Sequence, residues 1–204
     1  MISAAEAKAI LTIVALGDST TAGTPGFRSP LESPPDGSGD PRSQYAYWIL
    51  QSHPDWRVIN QGINGQRSDQ ILARFDSSVS QHHPDVVVVL AGVNDLFQGT
   101  PAEQVIQNLK EIYRRAAAQR IRVIACTILP YNRMSPEVQA RMAKVNTWIK
   151  SFSESSGFTF CDLFHSVENP RHPGTLASTP DGLHPDVAGY RKMAEAIAVA
   201  IQPE

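Results

Sequence analysis

The chain has 204 residues, 42% of them hydrophobic and 19% charged, and its formal net charge is −2 at pH 7. That length suits a single domain spanning residues 1–204, and the balanced charge argues against nucleic acid or an anionic membrane as a partner. The longest apolar runs, residues 9–16 and 86–91, have the length of strands and are too short to cross a bilayer, so no stable membrane insertion is expected.

The first predicted element is a buried strand, "ILTIVALG", at residues 10–17. Lys8 before this apolar run, and the small residues at its end, faintly resemble a secretory signal peptide. We favour the strand, because cleavage after Gly17 would remove the segment that presents the polar residues that follow. The chain as written is expected in the cytoplasm, whereas a separate signal sequence would direct it to the periplasm or outside the cell.

Four more strands are expected along the chain: "RVIN" at 57–60, "DVVVVLAG" at 85–92, "IRVIACTI" at 121–128 and "FTFCDL" at 158–163. The run of four valines is typical of a strand that is covered on both faces. Cys126 and Cys161 fall in two of these apolar segments, where buried thiols are favoured over a disulfide.

Helical patterns occupy the intervals between strands, at residues 43–53, 68–79, 100–119, 135–152 and 185–201. The third pattern begins with Thr100, Pro101 and Glu103, the spacing of a capping box with proline at the first helical position. The fourth begins in the same way, with Ser135 and Pro136. Its core positions are predicted at Val138, Met142, Val145, Ile149 and Phe152, which recur at helical spacing.

This alternation of strands and helices predicts an α/β fold, a three-layer α/β/α sandwich around a five-stranded parallel sheet. The expected strand order is flavodoxin-like, 2-1-3-4-5, and ligands of such sheets bind beyond the carboxyl ends of the strands. Residues 24–42 form a long connection, rich in proline and glycine and without periodicity. It is expected either to wall or cover a substrate pocket or to be a passive surface loop.

Four polar segments lie where chemistry is expected in such a sheet. Three follow the first three strands, "GDST" at 17–20, "NQGINGQRS" at 60–68 and "AGVND" at 91–95. The fourth, "DGLHP" at 181–185, precedes the last helix. Each is weak evidence alone, because Gly-Asp-Ser is common and an Asp-x-x-His sequence is often a helix cap or a surface pair.

Together the four segments resemble the four sequence blocks of the GDSL, or SGNH, hydrolase family, in the order of that family. The resemblance implies an α/β/α sandwich and an activity among esterases, lipases, thioesterases and carbohydrate deacetylases. It implies that Ser19 is the nucleophile and that Asp181 and His184 complete a catalytic triad. It further implies that Gly65 and Asn94 help to form an oxyanion hole. Thr at position 20 departs from the usual leucine, at a position that varies in the family.

The chemistry of these residue types agrees with those roles. A serine hydroxyl needs a base, which His184 can supply, and Asp181 can fix the tautomer of the imidazole from three residues away. The backbone N–H groups of Ser19 and Gly65 and the side-chain amide of Asn94 can donate to an oxyanion. Ordinary structural roles exist for each residue, such as a helix cap, a turn glycine or a helix-start pair, but the four together favour catalysis.

The predicted function is therefore a serine esterase or acylhydrolase that forms an acyl-enzyme and uses a small-molecule ester. A short acyl group such as acetyl is favoured, because no long apolar lid segment follows the first strand. The alcohol could be an aryl or alkyl group or a sugar, as in an acetylated carbohydrate. No cofactor and no metal are expected, because the other histidines are dispersed: His53, His82, His83, His165 and His172.

Two other functions are considered. In the first, "STTAGT" at residues 19–24 is a flavodoxin-type phosphate loop that holds a flavin phosphate. This interpretation leaves the segments at 91–95 and 181–185 unexplained. In the second, the chain is a non-catalytic relative that binds glycans, and the intact Ser19, Asp181 and His184 argue against it.

Overall fold

The computed structural model describes residues 10–202, so Lys8 of the signal-like segment lies outside the described residues. The strands in chain order are β1 (Thr12–Gly17), β2 (Phe27–Arg28), β3 (Ser38–Gly39), β4 (Arg57–Gly62), β5 (Val86–Leu90), β6 (Arg122–Cys126) and β7 (Thr159–Cys161). Five of them form a parallel sheet in the order β4-β1-β5-β6-β7, while β2 and β3 form a small antiparallel hairpin. The predicted five-stranded parallel sheet and its flavodoxin-like order are confirmed.

The helices in chain order are α1 (Ser19–Ala22), α2 (Tyr45–Ser52), α3 (Ser68–Ala73), α4 (Phe75–Ser78), α5 (Val93–Phe97), α6 (Ala102–Ala118), α7 (Pro136–Ser156), α8 (Leu163–Val167) and α9 (Val187–Ile201). Short 3-10 turns lie at Pro41–Ser43 and Ser80–His82. Within residues 10–202, none of the helices has both the length and the apolar character that a membrane span requires.

The core consists of two apolar layers, one on each face of the sheet. Val87 and Val89 of β5 face one cluster, to which α6 and α7 contribute, and Val86 and Val88 face the other, to which α2 and α9 contribute. All four valines are buried, because a parallel strand in the middle of the sheet is covered on both sides. The three-layer α/β/α sandwich is the result.

The predicted start of α6 is wrong. The helix begins at Ala102, the preceding Pro101 offers no side-chain acceptor, and the predicted capping box at Thr100 does not form. The Thr100 backbone N–H instead donates to the Asp95 carbonyl, which closes the turn after α5. The carboxylate of Glu103 is bound by Lys144 of α7.

The start of α7 follows the prediction. Ser135 is the N-cap, its hydroxyl accepts from the Val138 N–H at 3.4 Å, and Pro136 is the first helical residue. Of the predicted core positions, Met142, Val145 and Ile149 are fully buried, whereas the two at the ends of the pattern, Val138 and Phe152, pack against the core while partly exposed.

Two further helix boundaries differ from prediction. The segment 68–79 is broken into α3 and α4 at Arg74, whose guanidinium donates to the Gly17 carbonyl at 2.8 Å. The last helix begins at Val187 rather than at Pro185, and Asp186 is its N-cap, accepting from the Gly189 N–H at 2.8 Å. Asp186 therefore caps the helix from outside instead of lying in its first turn.

The two cysteines lie opposite each other on adjacent strands. Cys126 of β6 and Cys161 of β7 are register partners, and both are buried free thiols. Burial raises the pKa of the Cys126 thiol. Buried free thiols such as these two pack as small apolar core residues.

Candidate active site

Ser19 lies at the carboxyl end of the central part of the sheet, where β1 turns directly into α1. Asp18 is the N-cap, and its Oδ1 accepts from the Thr20 N–H at 3.0 Å, so Ser19 is the first helical residue rather than the cap. A Cβ at Gly17 would lie 2.4 Å from the Leu90 carbonyl, which explains the glycine before this turn. Ser19 is only 4% exposed.

His184 connects the Ser19 hydroxyl to a carboxylate. Its Nε2 lies 2.9 Å from Ser19 Oγ, and its Nδ1 lies 2.7 Å from Asp181 Oδ2. A proton on Nδ1, donated to the carboxylate, leaves Nε2 free to accept the serine proton; this tautomer is assigned from the hydrogen-bond pattern. The structure therefore brings the three predicted triad residues into one hydrogen-bonded series.

The loop that carries Asp181 and His184 is fixed by its own backbone. Asp181 Oδ1 accepts from the N–H groups of Leu183 and His184, both at 2.9 Å. Burial acts to raise the pKa of Asp181, but the hydrogen bonds from the His184 ring and from these two N–H groups outweigh it, and the pKa is lowered. The carboxylate is thus held ionised beside the imidazole.

The oxyanion-hole candidates lie around the same point. Residues Ile63 to Gln66 form a β-turn, closed by a 3.4 Å bond from the Gln66 N–H to the Ile63 carbonyl, with φ of +76° at Gly65. Asn94 Nδ2 donates one of its two hydrogens to the Gln66 carbonyl at 2.9 Å. In residues 10–202, the N–H groups of Ser19 and Gly65 have no acceptor, so both are available to a ligand.

A cavity of about 140 Å³ opens over the triad. Its lining residues are Ser19, Thr20, Asn64, Val93, Asn94, Phe97, Tyr131, Leu183 and His184. Gly65 is not among them, although its neighbour Asn64 is. A larger cavity of about 580 Å³ lies away from the triad, between α7 and the ends of β6 and β7, and contains none of the predicted catalytic residues.

Sequence reasoning assigned no role to the three largest apolar or aromatic residues that line the smaller cavity apart from the triad: Phe97, Tyr131 and Leu183. Phe97 and Leu183 are 64% and 44% exposed, which is unusual for apolar side chains of this size. Phe97 follows Asn94 by three residues, one helical turn along α5, and Leu183 directly precedes His184, so local spacing could have found both. Tyr131 comes from the loop after β6 and has no such signal.

Two buried aspartates stand beside the site. Asp95 accepts from the Ser68 hydroxyl at 2.6 Å and from the Ser68 N–H at 2.8 Å, so it ties the end of β5 to α3. Asp18 is 1% exposed, and its Oδ2 has no partner in the described part of the chain. Burial raises the pKa of Asp18 to about 7.

One further charged pair near the site is an ordinary surface contact. Asp69 forms a salt bridge with Arg67 at 3.1 Å. Within residues 10–202 no group of three His, Cys, Asp or Glu side chains is arranged to hold a metal ion. The site thus consists of a hydroxyl, an imidazole, a carboxylate and amide donors, the arrangement of a serine hydrolase.

Comparison with known proteins agrees with that class. The model of the GDSL-like lipase/acylhydrolase family matches residues 15–192, and the chain belongs to this family. It is 30% identical over 205 residues to thioesterase 1/protease 1/lysophospholipase L1 of Escherichia coli, covering 94% of this chain and 84% of that protein. It is 27% identical over 150 residues to the esterase TesA of Pseudomonas aeruginosa, covering 73% and 71%.

An acetylxylan esterase of Geobacillus stearothermophilus is 25% identical over 172 residues, covering 74% of this chain and 76% of that protein. The solved structure of an acetylxylan esterase from that organism superimposes with a TM-score of 0.75 over 95% of each chain, at 23% identity. A G-D-S-L family protein from Desulfitobacterium hafniense gives a TM-score of 0.78 over 93% of this chain and 99% of that one, at 22% identity. These structures share the fold, and the protein is a carboxylic ester hydrolase of the GDSL type.

Proposed function

We propose that this protein hydrolyses short-chain carboxylic esters through an acyl-enzyme on Ser19, with His184 as general base and Asp181 as its orienting partner. The observation that carries the proposal is the unbroken series Ser19 Oγ to His184 Nε2 at 2.9 Å and His184 Nδ1 to Asp181 Oδ2 at 2.7 Å. This pre-arranged base makes an otherwise weak nucleophile reactive.

In the acylation step, Ser19 Oγ attacks the ester carbonyl carbon while His184 Nε2 takes the hydroxyl proton. The tetrahedral intermediate collapses, the C–O bond to the alcohol breaks, and the imidazolium returns the proton to the leaving alcohol oxygen. Water then attacks the acyl-Ser19 ester, again giving a proton to His184, which passes it to Ser19 as the carboxylic acid departs.

Negative charge develops on the carbonyl oxygen in both steps. The N–H groups of Ser19 and Gly65 and the second N–H of the Asn94 amide are assigned to it in this proposal. The bond from Asn94 to the Gln66 carbonyl fixes the amide plane in advance, so little reorganisation is needed in the transition state.

The size of the cavity supports a short acyl group. Its volume of about 140 Å³ is small, and Phe97, Tyr131 and Leu183 are among the residues that line it. Acetyl is the acyl group that we propose. Acetylated carbohydrate is the proposed substrate class, with support from the acetylxylan esterase among the relatives.

A flavin-phosphate loop is disfavoured by the local contacts of residues 19–24. The Thr20 N–H is already bound by Asp18, and the Thr21 hydroxyl accepts from the Tyr45 hydroxyl at 3.1 Å. A glycan-binding relative without catalysis is disfavoured by the complete triad.

The test is a hydrolysis profile with p-nitrophenyl esters from acetate to decanoate and with acetylated xylooligosaccharides. We expect kcat/KM to be highest for acetate and to fall with chain length. Ser19→Ala should lose at least ~10³-fold in kcat, the scale of a triad serine. The matched control is Ser38→Ala, an exposed serine of β3, which should keep wild-type turnover. Equal turnover in the two variants would refute the assignment of the nucleophile.

A further inference from the structure

The long connection at residues 24–42 contacts the turn that carries Gly65. Glu32, which is half-buried, uses both carboxylate oxygens: Oε1 accepts from the Asn64 N–H at 2.9 Å, and Oε2 accepts from the Ser29 N–H at 3.1 Å. The buried Ser29 hydroxyl donates to the Gly62 carbonyl at 2.6 Å. The loop is therefore bonded to the chain immediately before Gly65 at two points.

The direction of the Gly65 N–H depends on the conformation of this turn. The N–H belongs to the peptide between Asn64 and Gly65, the central peptide of the turn from Ile63 to Gln66. A positive φ at the third position, here +76° at Gly65, is the type II geometry. Types I and II differ by a flip of that central peptide, which reverses its N–H and C=O.

The far side of the turn is held independently. The Gln66 carbonyl accepts from Asn94, and Gln66 Oε1 accepts from Arg74 Nε at 2.6 Å. The near side is held by Glu32 at Asn64. With both sides fixed, the central peptide keeps one orientation, and the N–H of Gly65 has no acceptor within residues 10–202 that would compete with a ligand.

We propose that Glu32 is a positioning residue of the ester-hydrolysis site, holding the Asn64–Gly65 peptide so that its N–H faces the developing oxyanion. This inference rests on the proposed function, since it takes Gly65 as an oxyanion donor. Glu32 touches neither substrate nor the reacting atoms. It acts through the backbone of Asn64, and residues 24–42 are then part of the catalytic apparatus rather than a passive surface loop.

The test compares Glu32→Ala, which removes both bonds, with Glu32→Gln, which keeps a carbonyl oxygen and can retain one of them. The matched control is Asp36→Ala, an exposed acidic residue of the same loop, which loses the same charge. We expect Glu32→Ala to lower kcat by ~10- to 100-fold with little change in KM, since full loss of an oxyanion donor costs about 10²–10³-fold. Glu32→Gln should recover part of that loss, and Asp36→Ala should stay within about 2-fold of wild type.

A second measurement separates positioning from mere stability. An alkyl trifluoromethyl ketone adds to the serine and forms a tetrahedral oxyanion, so its inhibition constant should weaken in Glu32→Ala by the same factor as kcat/KM. If Glu32→Ala does not fold, Glu32→Gln decides by the same two readouts. Wild-type kcat and ketone affinity in folded Glu32 variants would overturn this inference alone. Wild-type protein without Ser19-dependent hydrolysis would overturn the proposed function and this inference with it.

Discussion

Asp181 binds His184 twice. Its Oδ2 accepts from the imidazole Nδ1 at 2.7 Å, and its Oδ1 accepts from the backbone N–H of the same histidine at 2.9 Å. One carboxylate thus fixes both the tautomer of the His184 ring and the position of the His184 backbone. Because the two residues are only three positions apart, the pair is held before any ligand arrives.

We predict that Asp181→Asn lowers kcat by ~10³-fold or more, as loss of the acceptor does in other triads. An amide at this position can donate to Nδ1, which places the imidazole proton on Nε2 and removes the acceptor for the Ser19 hydroxyl. The measurement is steady-state hydrolysis of p-nitrophenyl acetate, with circular dichroism to verify the fold. A kcat within 10-fold of wild type would mean that His184 needs no orienting carboxylate.

The chain provides a matched control for that variant. Asp162 and His165 have the same spacing and the same 2.7 Å contact from Nδ1 to Oδ2, but the His165 Nε2 lies 3.9 Å from Glu168 instead of meeting a hydroxyl. The His165 side chain is 70% exposed. Asp162→Asn should therefore leave kcat within about 2-fold of wild type, because the pair is remote from the triad.

These two pairs show what the sequence could and could not predict. Asp-x-x-His occurs twice, at 162–165 and 181–184, and spacing alone does not distinguish them. The pair at 181–184 was identified as catalytic only because it belongs to the set of four sequence blocks. In the structure it differs from the other pair because His184 contacts Ser19, which lies 165 positions away in the chain. Periodicity predicted the five strands, because buried parallel strands have a strong apolar signature, and their order was expected from the doubly wound α/β fold class.

Predictions from local sequence patterns were wrong where a group distant in sequence binds one of the residues of the pattern. Thr100 matched a capping box, yet its N–H bonds to Asp95, and Glu103 is drawn to Lys144 on another helix. Glu32 likewise carried no signal in a loop without periodicity, because its role depends on the approach of Asn64. Such contacts arise only once the chain is folded.

We predict that Asn94→Ala lowers kcat by ~10²–10³-fold, the usual cost of losing one oxyanion donor. The variant also frees the Gln66 carbonyl, so the turn at Gly65 loses its anchor on that side. KM should change much less than kcat, because the donor acts mainly in the transition state. An unchanged kcat with raised KM would instead make Asn94 a ground-state binding residue.

The residues that line the cavity lead to a prediction about which acyl chain lengths the enzyme prefers. Phe97 lines the cavity and is 64% exposed, so Phe97→Ala enlarges the site without opening a hole in the core. We expect the ratio of kcat/KM for butyrate over acetate to rise by about 10-fold, the scale of one or two methylene groups. Leu31→Ala, an exposed leucine outside the cavity lining, is the control and should leave the ratio unchanged. The same ratio in both variants would show that Phe97 does not limit the acyl group.

The buried carboxyl of Asp18 predicts how stability depends on pH. Burial raises its pKa from 3.8 to about 7, so between these values the folded state holds a proton that the unfolded state has released. Folding then takes up a proton, and the free energy of unfolding falls as the pH rises until the folded-state pKa is passed. Between pH 5 and about 7 this contribution amounts to ~3 kcal/mol, at about 1.4 kcal/mol for each unit.

Asp18→Asn keeps the carbonyl oxygen that accepts from the Thr20 N–H but cannot ionise. We therefore expect the stability of the variant relative to wild type to increase by ~3 kcal/mol between pH 5 and pH 8. Urea unfolding at the two pH values measures it, with Asp36→Asn as the exposed control. Parallel curves for wild type and Asp18→Asn would mean that Asp18 ionises in the folded protein as readily as in the unfolded chain, and that a counter-charge such as that of Arg74 offsets its burial.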